Sequence, residues 1–472
     1  MSFRTGRHIA SAFSILASIV VFGAQQVPAA AAVRASAPAA AATTVSASAA
    51  SNYIPVNPGF RILDTRKGLC GGNVCHALGA GGTLQLQVTG YVDPGTGNSV
   101  PAGASAVVIN VTAVGGTSYS LFTVYPAGSN RPTASNINFP AGTAIANLVT
   151  SQLSSGGAID IFNALGTVNV VGDIEGYFTP TPSTQPSGEY HPIPPLRVCD
   201  TRAEQEVNAC NGFNDGKSHA IGPNTAVKVT VAGQPAWCSP TCTPSIPTDG
   251  TEEFAIINLT AIAGTVNTYL SVVPWTINGC TYGGNKGAPP FSTVNVSAGK
   301  AQANRVFVDL GINTNPINIC VYNAVGKANF VIDANGWFGG PTAATGLQFY
   351  ATSPTRLCDT RAGMGTSCAG HELTQAGVLT VAAAGQDGIP SAAKAIVANL
   401  TAIAGSSFTF ISAYPSDAAS RPNVSDINVG AGQVLDNLTA ITLSGGASPG
   451  DFDLFNALGN INATVDVEGW FQ

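Results

Sequence analysis

Charge is what this sequence has least of. Only 9% of its 472 residues are Asp, Glu, Lys or Arg, against roughly 25% in an average soluble protein. With 19 basic and 25 acidic residues the formal charge is −6, so there is no basic field to hold a nucleic-acid backbone. Helical spacing is missing as well. No His-Glu-x-x-His, phosphate loop or EF-hand occurs, which removes the familiar signatures of zinc hydrolysis, nucleotide binding and calcium binding. Beyond residue 32 no apolar run is long enough to span a bilayer as a helix. No cofactor is expected.

Scarce charge does not mean disorder here, because 45% of the residues are hydrophobic and Val, Ile and Thr are plentiful. The length allows about three domains, each able to bury a core of its own. Met1 to about Ala32 reads as a signal peptide: Arg4 and Arg7 before an apolar stretch from Ile9 to Gly23, then Ala29 to Ala32 as a cleavage site. A signal anchor is the alternative. The expectation is a secreted chain, released or held non-covalently at a cell surface.

Ten cysteines fit an oxidising compartment. Cys199 with Cys210 and Cys358 with Cys368 occupy equivalent places and are expected to pair. Cys238 with Cys242, Cys280 with Cys320 and Cys70 with Cys75 complete the set. These pairs lack His partners at ligand spacing, so zinc is disfavoured.

Self-similarity is the strongest signal. Phe60-Arg-Ile-Leu-Asp-Thr-Arg66 returns as Leu196 to Arg202 and as Thr355 to Arg361. Asn110-Val-Thr112 returns as Asn258 to Thr260 and Asn399 to Thr401, and Ser135 to Asn138 as Ser292 to Asn295 and Ser425 to Asn428. Each copy ends in Gly-aromatic-Phe, at Gly176, Gly336 and Gly469. The expected layout is a signal at 1–32, an Ala/Ser/Thr linker at 33–50, and copies at 51–178, 189–338 and 348–472. The stretches 179–188 and 339–347 are read as partly extended spacers. Within a copy, Leu84, Leu86 and Val88 alternate with Thr83, Gln85 and Gln87, a half-buried strand. The fold expected is all-β, three tandem β-sandwiches of jelly-roll or immunoglobulin-like type, with barrels or trefoils as the alternative.

The motifs together resemble the secreted β-repeat of actinobacteria: an Arg-x-x-Asp-Thr-Arg start, an Asn-Val-Thr strand, an Arg-Pro-x-x-Ser-x-Asn turn and an Asp-x-x-Gly-Tyr-Phe end. Here these are Arg61 to Arg66, Asn110 to Thr112, Arg131 to Asn138 and Asp173 to Phe178. The resemblance covers nearly all of residues 51–472, the middle copy having Ala288 in place of the turn Arg. It implies an accessory surface module and brings no catalytic residues.

Candidate chemistry is thin. Gly446-Ala-Ser-Pro-Gly450 matches the nucleophile elbow, but Pro449 has no N–H for an oxyanion. Asp64 with Arg66, Asp200 with Arg202, and Asp359 with Arg361 resemble a protease Asp-Thr-Gly. An adjacent Arg would keep each Asp ionised, so a structural clasp is the better reading. His76, His219 and His371 could share a metal only if the copies met on one axis. In the last strand, Val168, Val170, Ile174 and Phe178 are expected on one face. Asp173, Glu175 and Tyr177 would share the other, repeated as Asp333, Asn335, Trp337 and as Asp466, Glu468, Trp470. If open, that face could stack and hydrogen-bond a cell-wall or environmental polysaccharide. If covered, its Asp residues are held by the first-strand Arg. A hydrolytic carboxylate pair fails in the middle copy, where Asn335 replaces the Glu. The chain is therefore expected to be a non-catalytic surface or adhesion protein. A carbohydrate-binding array and a secreted hydrolase are the alternatives, and the oligomeric state stays open.

Overall fold

The computed structural model describes residues 48–180, 188–202, 219–233, 246–275, 279–280, 288–289, 291–310, 318–446 and 448–472. The signal segment and most of the first linker therefore lie outside the described residues. So do Cys210, Cys238 and Cys242.

Each copy is a sandwich of two antiparallel sheets. Copy one contains β1 (Asn52–Asp64), the short β2 (Leu69–Cys70), β3 (Thr83–Gln87), β4 (Ala106–Val114), β5 (Ser120–Pro126), β6 (Ile137–Phe139), β7 (Ala144–Gln152), β8 (Ala158–Asn163) and β9 (Asn169–Thr179). Copy two contains β10 (Tyr190–Asp200), β11 (Thr225–Thr230), β12 (Glu252–Ala263), β13 (Thr268–Pro274), β14 (Val294–Val296), β15 (Ala301–Asp309), β16 (Asn318–Asn323) and β17 (Ala328–Gly339). Copy three contains β18 (Phe349–Asp359), β19 (Val378–Ala382), β20 (Ala395–Ile403), β21 (Thr409–Pro415), β22 (Ile427–Val429), β23 (Val434–Thr442), β24 (Asp451–Asn456) and β25 (Asn462–Phe471).

Leaving β2 aside, the strands of every copy are ordered first-eighth-third-sixth in one sheet and second-seventh-fourth-fifth in the other. That order is a jelly roll, which decides between the sandwich types and removes the barrel and trefoil alternatives. Among the described residues, disulfides join Cys70 to Cys75, Cys280 to Cys320 and Cys358 to Cys368. Cys199 is also disulfide-bonded.

The two sheets differ in what covers them. β3, of sequence TLQLQ, alternates exposed and buried because only one side meets the core. β4 is buried for eight consecutive residues, because both of its sides are covered. Val107, Ile109, Val111 and Ala113 enter the core of their own copy. Ala106 and Val108 enter a separate cluster to which all three copies contribute.

That shared cluster overturns the picture of three units strung on spacers. Besides the private cores there is a fourth, built on Tyr53 and Phe178, Tyr190 and Phe338, and Phe349 and Phe471. Its rings meet in cyclic order. Tyr53 of copy one stacks on Phe338 of copy two at 4.8 Å, and Tyr190 of copy two on Phe471 of copy three at 4.1 Å. Phe349 of copy three returns to Phe178 of copy one at 4.1 Å. A head-to-tail contact that closes after three steps is a ring with approximate threefold symmetry.

The backbone repeats the cycle. Tyr53 N–H donates to Gly188 O (3.0 Å), in the segment leading into copy two. Tyr190 and Leu347, which leads into copy three, exchange two bonds of 2.8 Å. Ser51, which leads into copy one, exchanges bonds of 3.0 and 2.8 Å with Phe349. Nor does 339–345 hold the copies apart: Gly340 N–H donates to Thr251 O (2.7 Å), and Ala343 packs on the core of copy two.

Candidate functional site

The repeated polar residues converge where one copy meets the next. On the first strand of each copy the Asp-Thr-Arg motif folds back on itself. Arg66 donates to Asp64 from Nε and Nη2, both at 2.8 Å, and its backbone N–H bonds the same carboxylate. Arg202 with Asp200 and Arg361 with Asp359 do likewise. Burial pushes the Asp64 and Asp359 carboxyls up, but the bonds from the neighbouring arginine outweigh it and hold both below the usual range. The other motif arginine reaches the last strand. Arg61 donates to Asp173 from Nε (2.8 Å) and Nη2 (3.0 Å), Arg197 pairs with Asp333, and Arg356 with Asp466. Bidentate pairing of this kind fixes orientation as well as charge.

The last strand does not present the expected open face. The cause is a β-bulge in the same place in every copy. β4 pairs Ile109 with Ile174 but Val108 with Gly176, leaving Glu175 as the extra residue. Asn335 and Glu468 are the extra residues opposite β12 and β20. One inserted residue reverses the faces beyond it. Phe178, Phe338 and Phe471 therefore turn to the axis instead of joining Val170 and Ile174. Tyr177, Trp337 and Trp470 turn inward on their own copies. Trp337 lies against His191 at 3.8 Å and 7°, Trp470 is parallel to Tyr350 at 6.1 Å, and both tryptophans are buried. The two tryptophan rings expected to stack on a sugar are covered, and Tyr177 is half-buried against the core of its own copy. The glycan assignment of Asp173, Glu175, Tyr177, Asp333, Asn335, Trp337, Asp466, Glu468 and Trp470 is corrected accordingly.

The Gly of Gly-aromatic-Phe has a local reason. A Cβ on Gly176 would collide with the ring of Tyr53, one on Gly336 with Tyr190, and one on Gly469 with Phe349. Glycine lets the first-strand ring lie across the last strand and reach the axis.

The bulge residue reaches the next copy. Glu175 accepts from the Phe307 N–H of copy two (3.1 Å). Glu468 accepts from the Thr150 N–H (2.8 Å) and from Asn136 Nδ2 (2.6 Å) of copy one. Burial raises both glutamates to about 8, so they sit protonated at neutral pH. In copy two, Asn335 donates to Ala440 O (3.4 Å) and accepts from Arg305 Nη1.

The repeated asparagines divide into two kinds. Asn163 bonds within its copy, donating to the carbonyls of Gly79 and Gly166, both at 3.0 Å, and accepting from Ser120 Oγ (2.7 Å). Asn110 of copy one instead donates to Ser292 O of copy two (2.8 Å), Asn258 to Ser425 O (2.7 Å), and Asn399 to Ser135 O (2.5 Å). Asn304, Asn437 and Asn147 answer by donating to the side-chain oxygens of Asn110, Asn258 and Asn399, at 2.8–2.9 Å.

Arg305 and Asp436 are among the buried charged residues that the sequence motifs did not single out. Arg305, fully buried, stands where the other copies have Leu148 and Leu438. It bonds Asp426 (2.7 Å), Thr439 Oγ1 and Leu438 O of copy three. Asp436, in copy three, accepts from the backbone and side chain of Asn138 in copy one, and burial raises it to about 6. Aligning the copies shows Arg305 as the odd member of its column. Nothing local says that it is buried.

The copies do meet on one axis, yet His76, His219 and His371 are exposed on outer loops. Among the described residues no three His, Cys, Asp or Glu side chains are grouped to hold a metal. The carboxylates of the repeated motifs bond to arginine, to amides or to backbone N–H groups.

The fold and these contacts define a class: a single-chain ring of three jelly rolls. No family model matches the chain, and no curated protein is similar to it. Among solved structures, a chain of Sulfolobus turreted icosahedral virus is similar at 10% identity and a TM-score of 0.15, over 88% of this chain and 91% of that one. A second, from work on the triple jelly roll fold and turret assembly of an archaeal virus, has 9% identity and a TM-score of 0.15, over 89% and 91%.

Proposed function

We propose that the chain is a non-catalytic extracellular structural protein, secreted by its N-terminal signal and serving in surface attachment, built from repeats of the actinobacterial type. The observation that carries this reading is the use of the repeated polar residues. Every copy spends its paired Asp and Arg, its bulge Glu or Asn and its interface Asn in joining strands or copies. A hydrolase needs a carboxyl that faces substrate. Asp466 and Glu468 are fully buried and bonded to copy one or to Arg356. Disulfide bonding suits an extracellular setting, and polysaccharide is the attachment target that a surface poor in charge favours.

The test uses the secreted protein from culture supernatant. N-terminal sequencing should place its start near residue 33. Panels of polysaccharide, ester and peptide substrates should show no turnover above a Glu468→Gln control. Product release that disappears in that variant would make the chain a hydrolase.

A further inference from the structure

A cleft of about 550 Å³ opens where copy three meets copy one, within the size range that accepts small ligands. One wall is the end of β18, with Asp359, and the loop after it, with Arg361 and Met364. The other is the tip and turn of copy one, with Tyr119, Thr133 and Ser135. A smaller cavity, of about 60 Å³, lies between copies one and two and is lined by Asn110, Asp173 and Phe307.

The charges in the larger cleft cancel locally. Arg361 donates to Asp359 from Nε (2.9 Å) and Nη2 (2.7 Å), and Arg356 is shared between Asp359 and Asp466. The rest of the lining is hydroxyl, apolar or the amide of Asn138, and of its threonines Thr133 is exposed while Thr401 and Thr464 are buried. At its mouth Tyr119 is 45% exposed and Met364 46%. An open aromatic ring beside hydroxyls and a half-exposed guanidinium matches a ligand with both C–H faces and hydroxyl groups. A fully anionic ligand would find its arginines already paired.

We propose that this cleft binds a neutral saccharide segment, with one sugar ring on Tyr119 and its hydroxyls bonded by Arg361 and the exposed Thr133. The proposal deepens the attachment reading above and rests on it. The copies supply an internal contrast. The residue at the place of Tyr119 is Phe408 in copy three, 53% exposed, but Asn267 in copy two. The tip of copy two therefore has no ring to offer.

The test is titration of the secreted chain with cellohexaose, xylohexaose, laminarihexaose and chitohexaose, followed by calorimetry. At least one should bind, Tyr119→Ala should weaken it by roughly tenfold, and Tyr119→Phe should keep it. Met364→Ala, on the opposite lip, should weaken binding less, with melting unchanged in all three variants. Failure of all four sugars, or full affinity in Tyr119→Ala, overturns the site. So does binding confined to heparin and abolished by salt, which would mark a charge contact. Product release in the same samples would instead overturn the non-catalytic reading.

Discussion

At the axis, copy two is built differently from copies one and three. Copies one and three have a leucine on the sixth strand and a glutamate at the bulge. Copy two has Arg305 and Asn335 in those places. The backbone bulge is the same in all three. A fully symmetric ring would repeat three buried glutamates around one apolar centre. One substitution set instead provides a donor, Arg305, which binds Asn335 of its own copy and Asp426 of copy three. Tandem duplication lets equivalent positions diverge, and so permits an asymmetric ion pair that no homotrimer could hold.

Breaking that pair should have the largest effect. Arg305→Leu gives copy two the residue of the other copies but leaves Asp426 buried without its partner, at a cost of ~3–5 kcal/mol in urea unfolding. Adding Asp426→Asn, which installs the residue copy one has at Asn136, should restore most of the loss. A double variant no better than the single would show that the two sites are independent.

Next comes pH. The folded-state values of Glu175 and Glu468 are about 8, against an ordinary 4.5. The unfolded chain therefore gives up these protons first. Their contribution is full below about pH 4.5, declines as pH rises to about 8, and is flat above. Around Glu468 stand Asp466, which raises it further, and Asn136 and the Thr150 N–H, which lower it. Glu468→Gln should reduce the slope of the stability curve between pH 5 and 8, leaving the part due to Glu175, and raise stability at pH 8 by several kcal/mol. An unchanged slope would refute a protonated glutamate. The smallest effect is that of Tyr190→Phe, which copies the natural Phe349. It removes the bond from Tyr190 Oη to Asn335 O (2.8 Å) and should cost ~1 kcal/mol, read as a small fall in melting temperature.

Much of this was legible in advance. The alternation of β3 gave the outer sheet. Asp64 and Arg66 lie two residues apart, so their clasp is local. The turn Arg131 was readable as a motif but not in its contact, a stack on Phe162 at 3.8 Å. The run Ala106 to Val111 is apolar at every position but Asn110. A strand without alternation is covered on both sides, and the second cover is the neighbouring copies. The last-strand faces were misassigned because strict period-two counting runs straight through the bulge at Glu175.

The sequence alone determined the number of copies, their all-β character, the strands and the short-range clasps. These depend on residues near one another in the chain and on a two-residue period. Only the tertiary structure decided that the copies close into a ring and that the repeated carboxylates and aromatics turn inward. Contacts such as that from Asn399 to Ser135 join residues 264 positions apart. No local pattern encodes such a partner, because it is chosen when three shapes close on one another.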